Sequence, residues 1–97
     1  MKILNRRLLD KFIDNYADAE SGLQHWIDIV EEANWKSHNE LKLDFPSADY
    51  VGKNRYVFNI RGNNYRMVVV VVFIQGSLMI RFIGTHKEYN RIDCRTV

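Results

Sequence analysis

Residues 55–83 read RYVFNI, RGNN, YRMVVVVVFI, QGS and LMIRFI in succession, and this stretch decides the fold. Arg55–Ile60 is rich in β-formers and runs into Arg61-Gly62-Asn63-Asn64, a hairpin-turn composition. Tyr65–Ile74 follows as a second strand, apolar on both faces through its valines, as a covered central strand requires. Gln75-Gly76-Ser77 forms the next turn, and Leu78–Ile83 is the last full strand. Three consecutive strands joined by tight turns make an antiparallel meander. The apolar run Met67–Ile74 is far shorter than the roughly 20 residues of a membrane-spanning helix, so it reads as buried strand in a soluble protein.

Upstream of Pro46 the pattern changes to helical. Lys2–Leu4 reads as a short opening strand. Leu8, Leu9, Phe12, Ile13 and Tyr16 line one face of a first helix, with Asn5 as its N-cap. Leu23, Trp26, Ile27, Val30 and Ala33 do the same for a second helix over residues 18–33. Ser37 with Glu40 resembles a capping box and opens a short third helix ending before Phe45-Pro46. Downstream of the meander, Gly84-Thr85 leads into a short segment, His86–Ile92, with Thr85 as its cap. The architecture expected is α+β: two N-terminal helices packed across one face of a small antiparallel β-sheet, with a short C-terminal helical segment.

Ninety-seven residues suffice for one domain with a single core, without metals or disulfides. The one cysteine, Cys94, has no internal partner, and nothing near Met1 resembles an export signal, so a reducing cytoplasm is expected. The net charge of +2 conceals a segregation. Residues 1–50 carry six Lys/Arg against ten Asp/Glu, whereas residues 51–97 carry eight against two. A basic half that holds Tyr56, Tyr65 and Tyr89, with Tyr50 at its border, points to a polyanion such as RNA, with solubility alone as the plainer explanation.

No P-loop, dinucleotide glycine pattern, CxxC or HExxH motif occurs, and His25, His38 and His86 have no acid or thiol at metal-ligand spacing. No metal or cofactor is expected. The candidates left are Arg61, Arg66, Arg81, His86, Lys87 and Tyr89, all in the basic half. Arg66 opens the middle strand and residues 83–87 end its neighbour, so antiparallel pairing brings them together at one end of the sheet. A guanidinium, an imidazole, an ammonium and a phenol there are what metal-free phosphodiester cleavage uses: cations for the phosphorane, and groups that take and give protons. Arg61 and Lys87 read equally as solvated charges, and Tyr89 as an anchor for the last segment. Arg66 and Arg81 interrupt apolar strands and need partners, which an acid of the helical half would also provide.

The stretch Phe45–Tyr50, then Arg55–Arg66 (RYVFNIRGNNYR), then Ile80–Tyr89 (IRFIGTHKEY) resembles the HigB toxins of the RelE superfamily, as do Asn34-Trp35-Lys36 and the two-helix start. The likeness covers essentially the whole chain, read as a single RelE-like toxin domain over residues 1–97. It implies a RelE-like fold and ribosome-dependent cleavage of mRNA in the A site by metal-independent attack of a ribose 2′-OH. It further implies Arg66 as the stabiliser of the phosphorane, His86 as proton donor to the leaving 5′-oxygen and Tyr89 as orienter of the 2′-OH or stacking partner. Arg61, Arg81, Lys87 and Asn59 would bind phosphates of RNA. RelE itself places lysines on the first hairpin strand, where this chain has Asn59. The general base is therefore open, and a non-enzymatic, ribosome- or RNA-binding inhibitor of translation is the alternative. The partners implied are a HigA-like antitoxin with a helix-turn-helix domain, the ribosome and its mRNA. DNA is met only through the antitoxin, and no membrane is involved.

Overall fold

The computed structural model describes all residues, 1–97. Its elements run β1 (Lys2–Leu4), α1 (Arg7–Asn15), α2 (Glu20–Glu32), α3 (His38–Asp44), β2 (Asp49–Gly52), β3 (Arg55–Ile60), β4 (Tyr65–Val72), β5 (Ser77–Thr85) and α4 (His86–Tyr89). A 3₁₀ turn, Ala17–Ala19, leads into α2, and a second, Phe73–Gln75, follows β4. No helix is long and apolar enough to cross a membrane.

The meander forms as expected. Asn59 pairs with Arg66 across β3 and β4, and Arg66 pairs with Gly84 across β4 and β5. The helical stripes also form. Leu9 and Phe12 of α1 and Leu23, Trp26, Ile27 and Val30 of α2 are buried, with Leu8, Ile13 and Tyr16 packed beside them. They share one core with Tyr56, Phe58, Ile60, Met67, Val69, Val71, Leu78 and Ile80 from one face of the sheet. Period-2 alternation then sends Arg55, Val57, Asn59, Arg66, Val68 and Gly84 to the other face.

Several expectations need correction. The sheet is mixed, not wholly antiparallel: its order is β1-β5-β4-β3-β2, with β1 parallel to β5. A three-residue strand carries no pattern that fixes its direction. β2 was not anticipated, because Asp49-Tyr50-Val51-Gly52 is short, polar and irregular in its pairing between Tyr50 and Gly52. Phe73 and Ile74 leave the ladder, and Ile74 is 96% exposed rather than part of a buried strand. Asn5 does not cap α1. It adopts φ +68° and its side-chain amide donates to the Ile80 carbonyl (2.9 Å), so it prolongs the β1–β5 pairing through a side chain.

Two caps behave as read. Ser37 Oγ accepts from the Glu40 N–H, although Glu40 reaches back to the N–H of Lys36 (2.8 Å) rather than of Ser37. Thr85 and Glu88 form a complete capping box at α4. Such a box anchors a helix of only four residues by satisfying two end N–H groups.

The second sheet face is covered too. Val57 and Val68 pair with each other and are 2% and 0% exposed, yet lie outside the helix-side core. The chain beyond β5 passes over this face, tied at Arg66 by Tyr89 and at Arg55, whose Nη2 donates to the Val97 carbonyl (3.0 Å). A β4 apolar on both sides is the sequence's counterpart of this double cover.

A candidate RNA-cleaving face on the sheet

The face opposite the helices carries Arg66, Asn59 and Tyr89 of the candidate groups. Arg66 sits on β4 between Asn59 of β3 and Gly84 of β5. Its guanidinium carbon lies 5.2 Å from the centre of the Tyr89 ring, a cation–π contact. Arg66 Nε is buried with no hydrogen-bond partner. Buried donors are nearly always satisfied, so an orphaned one calls for an explanation, a catalytic role among them. No carboxylate pairs with Arg66: the chain's two side-chain ion pairs are Arg6–Glu31 and Arg61–Asp18.

Gly84 explains how α4 comes so close. A Cβ there would meet Phe82 Cζ at 2.6 Å and Glu88 Cβ at 3.0 Å. Only glycine lets α4 settle on β5, and that settling carries Tyr89 to Arg66. Burial first, and then the Cys94 thiol, push the Tyr89 phenol above its usual 10.0, while Arg66 pulls it down. Tyr89 is therefore a neutral phenol at physiological pH, able to donate a hydrogen bond.

The structure brings together Arg66, Tyr89 and Asn59 but not the whole predicted set. His86 and Lys87 line a hollow at the end of the sheet, beside the Tyr65–Thr85 pair, with Tyr16, Asn63 and Asn64. Arg61, read as a phosphate ligand or a solvated charge, turns to the helical half, where Nη1 meets Asp18 at 2.8 Å, whereas the acidic partner left open for Arg66 and Arg81 is not found. Asp18 also accepts a short hydrogen bond from the Tyr65 hydroxyl, which raises that phenol as well. Arg81 is exposed at the pairing irregularity between Ile80 and Phe82, away from Arg66.

Sequence reasoning missed three residues of this face. Arg55 lies at its far end with its Nε also buried and unpartnered. Period 2 counted from Asn59 finds it. Gly84 carries its signal only in the close approach of α4. Cys94, in the C-terminal segment, helps raise the Tyr89 phenol, and no motif marks it. No group of three or more His, Cys, Asp or Glu side chains is placed to hold a metal ion.

The α+β fold thus has helices on one sheet face and Arg55, Asn59 and Arg66 on the other, beneath the C-terminal segment, and its sequence matches a toxin class. Residues 19–92 match the model of a family described as the RelE-like toxic component of a toxin–antitoxin system. The mRNA interferase toxin HigB of Escherichia coli strain K12 is 32% identical over 93 residues, covering 93% of this chain and 88% of that protein. The mRNA interferase HigB of Shigella flexneri is similar to the same degree. That of Escherichia coli O6:H1 is 22% identical over 94 residues, covering 95% and 91%. The chain belongs to the HigB toxin family, and with that membership comes an antitoxin partner.

Proposed function

We propose that the chain is a ribosome-dependent endoribonuclease that cuts mRNA and is held silent by its antitoxin. The observation that carries the site assignment is Arg66: buried at Nε without a partner, unpaired to any carboxylate, and set over the Tyr89 ring. A guanidinium in that state is preorganised for the extra negative charge of a pentacoordinate phosphorane.

In the proposed reaction a ribose 2′-oxygen attacks the adjacent phosphorus and the bond from phosphorus to the 5′-oxygen breaks. The products are a 2′,3′-cyclic phosphate and a free 5′-hydroxyl. Arg66 stabilises the charge on the non-bridging oxygens. Tyr89, kept neutral by its surroundings, orients the 2′-hydroxyl or stacks on a base. Asn59, across from Arg66, donates to a phosphate oxygen. The 2′-hydroxyl proton passes to solvent, no residue of this face being assigned as its base, and His86, two residues beyond Gly84 at the end of the sheet, gives a proton from its imidazolium to the leaving 5′-oxygen. Lys87 and exposed Arg81 hold neighbouring phosphates, and Arg61 does so only with the guanidinium edge that Asp18 leaves free. The ribosome supplies the bent, in-line message geometry, so the toxin contributes only charge and proton transfer.

Metal-independent chemistry is proposed because no acid, thiol and imidazole set converges on this face. A helix-turn-helix antitoxin of the HigA kind and a cytoplasmic site of action complete the reading. Mapping mRNA 5′ ends after induction tests it. New codon-phased ends with the wild type, absent with Arg66→Ala, support it. Arrested translation without new ends supports the non-enzymatic alternative.

A further inference from the structure

A second cavity lies toward the opposite end of the sheet, on the helix side, and the proposed chemistry does not use it. His38, Tyr50, Asn54, Tyr56 and Phe73 line a volume of about 350 Å³. That is near the lower end of small-ligand sites, which run to roughly 300–1,000 Å³, and suits one ring system. Tyr56 is its buried member and Tyr50 its outer one, with their ring centres 5.1 Å apart. The His38 ring lies 5.6 Å from that of Tyr56 and nearly parallel to it. We propose that this cavity is a base-binding subsite, taking one unstacked nucleobase of single-stranded RNA.

Three observations select that occupant. Aromatic faces line the cavity, and every base has a π-face to lay against them. Polar groups of the lining are free. His38 Nδ1 bonds the Tyr56 hydroxyl (2.7 Å), which leaves Nε2 unengaged. Asn54 is held by its backbone, whose carbonyl accepts from the Val71 N–H (2.8 Å) at φ +61°, and its amide makes no bond within the chain. A nucleobase edge has donors and acceptors for an amide and an imidazole. An aliphatic anchor from a protein partner would leave both dry, which is costly when buried. No carboxylate lines the cavity, and Lys53 precedes Asn54 in sequence, a cation suited to the phosphate of such a base. Tyr56 precedes Asn59 by three residues on β3, so the subsite lies about 10 Å along the sheet from the Arg66 pair, on the other face.

The proposal rests on the RNA-cleaving reading only for the class of ligand, and its test does not depend on cleavage. The probe is a single-stranded RNA octamer carrying one 2-aminopurine, titrated into the full chain. Stacking quenches its fluorescence. Quenching is expected with the wild type and with Arg66→Ala. It is expected to be kept in Tyr50→Phe, and lost in Tyr50→Ala with about a tenfold rise in Kd. Tyr50 is 52% exposed, so its truncation leaves the fold in place, which circular dichroism checks. Unchanged quenching and Kd in Tyr50→Ala overturn the subsite. So does unchanged RNA binding with weakened antitoxin binding, which gives the cavity to a protein side chain. On ribosomes, a Tyr50→Ala defect that varies with message sequence identifies mRNA as the source of the base. A uniform defect identifies ribosomal RNA. Loss of cleavage in Arg66→Ala with quenching intact separates the two sites, whereas cleavage surviving in Arg66→Ala refutes the catalytic assignment and leaves the subsite standing.

Discussion

Arg66 and Tyr89 are 23 positions apart in sequence, yet the guanidinium carbon stands 5.2 Å from the phenol ring's centre on the sheet face opposite the helices. A three-strand meander places the arginine and a four-residue helix places the tyrosine. The contact holds a cation in place while its Nε stays unpartnered.

Replacing Arg66 by alanine is expected to lower the rate of ribosome-bound mRNA cleavage by about 10²–10³-fold, the usual cost of losing one preorganised charge stabiliser. Arg66→Lys restores little of it, because an ammonium neither stacks flat on Tyr89 nor forks onto two phosphate oxygens. Single-turnover rates on preformed ribosome–message complexes make the comparison.

Gly84→Ala acts without removing any functional group. The new methyl meets Phe82 Cζ at 2.6 Å and Glu88 Cβ at 3.0 Å, so the Phe82 ring must turn aside and α4 must give by a fraction of an ångström, which loosens Tyr89 over Arg66. Overpacking of this kind costs about 1–3 kcal/mol. Thermal unfolding and cleavage are both expected to fall, and a variant with wild-type cleavage and stability contradicts the packing described.

Much of this was legible before any coordinates. The valine run of β4, the turns at residues 61–64 and 75–77 and the stripes of α1 and α2 follow from periods of 2 and 3.6. Arg66 beside residue 84 follows from counting along a hairpin. What was hidden depends on contacts between distant segments. Asn5 reads as a cap until Ile80 comes near enough to take its amide. Arg61 reads as a phosphate ligand until Asp18 meets it. β1's direction and the cover over Val57 and Val68 are likewise set by chain that returns from elsewhere.

The phenols set an alkaline limit. Tyr56, Tyr65 and Tyr89 all have folded-state values raised above 10.0, by burial first for Tyr56 and Tyr89 and by Asp18 first for Tyr65. The unfolded chain releases these protons more readily, so their contribution is fully present below pH 10 and is lost as pH rises through the folded values. Urea midpoints are expected to fall above that pH, and Tyr65→Phe to shrink the fall. Midpoints that rise above pH 10 contradict it.

Tyr89 stays protonated over the working range, so it cannot serve as a phenolate base there. Tyr89→Phe is expected to lower the cleavage rate while leaving the shape of its pH profile from about 6 to 9 unchanged, because no Tyr89 ionisation falls in that interval. A limb of the profile that disappears with Tyr89→Phe would assign the phenol an acid–base role that its surroundings argue against.

The most direct test of the central claim is cleavage of a defined message on purified 70S ribosomes. The toxin is first stripped with EDTA and the chelator removed, with ribosome-free RNA and Arg66→Ala as controls. The expected result is cutting only on ribosomes, undiminished by stripping and lost with Arg66→Ala. Cutting that needs a metal restored to the toxin, or that survives Arg66→Ala, contradicts the account.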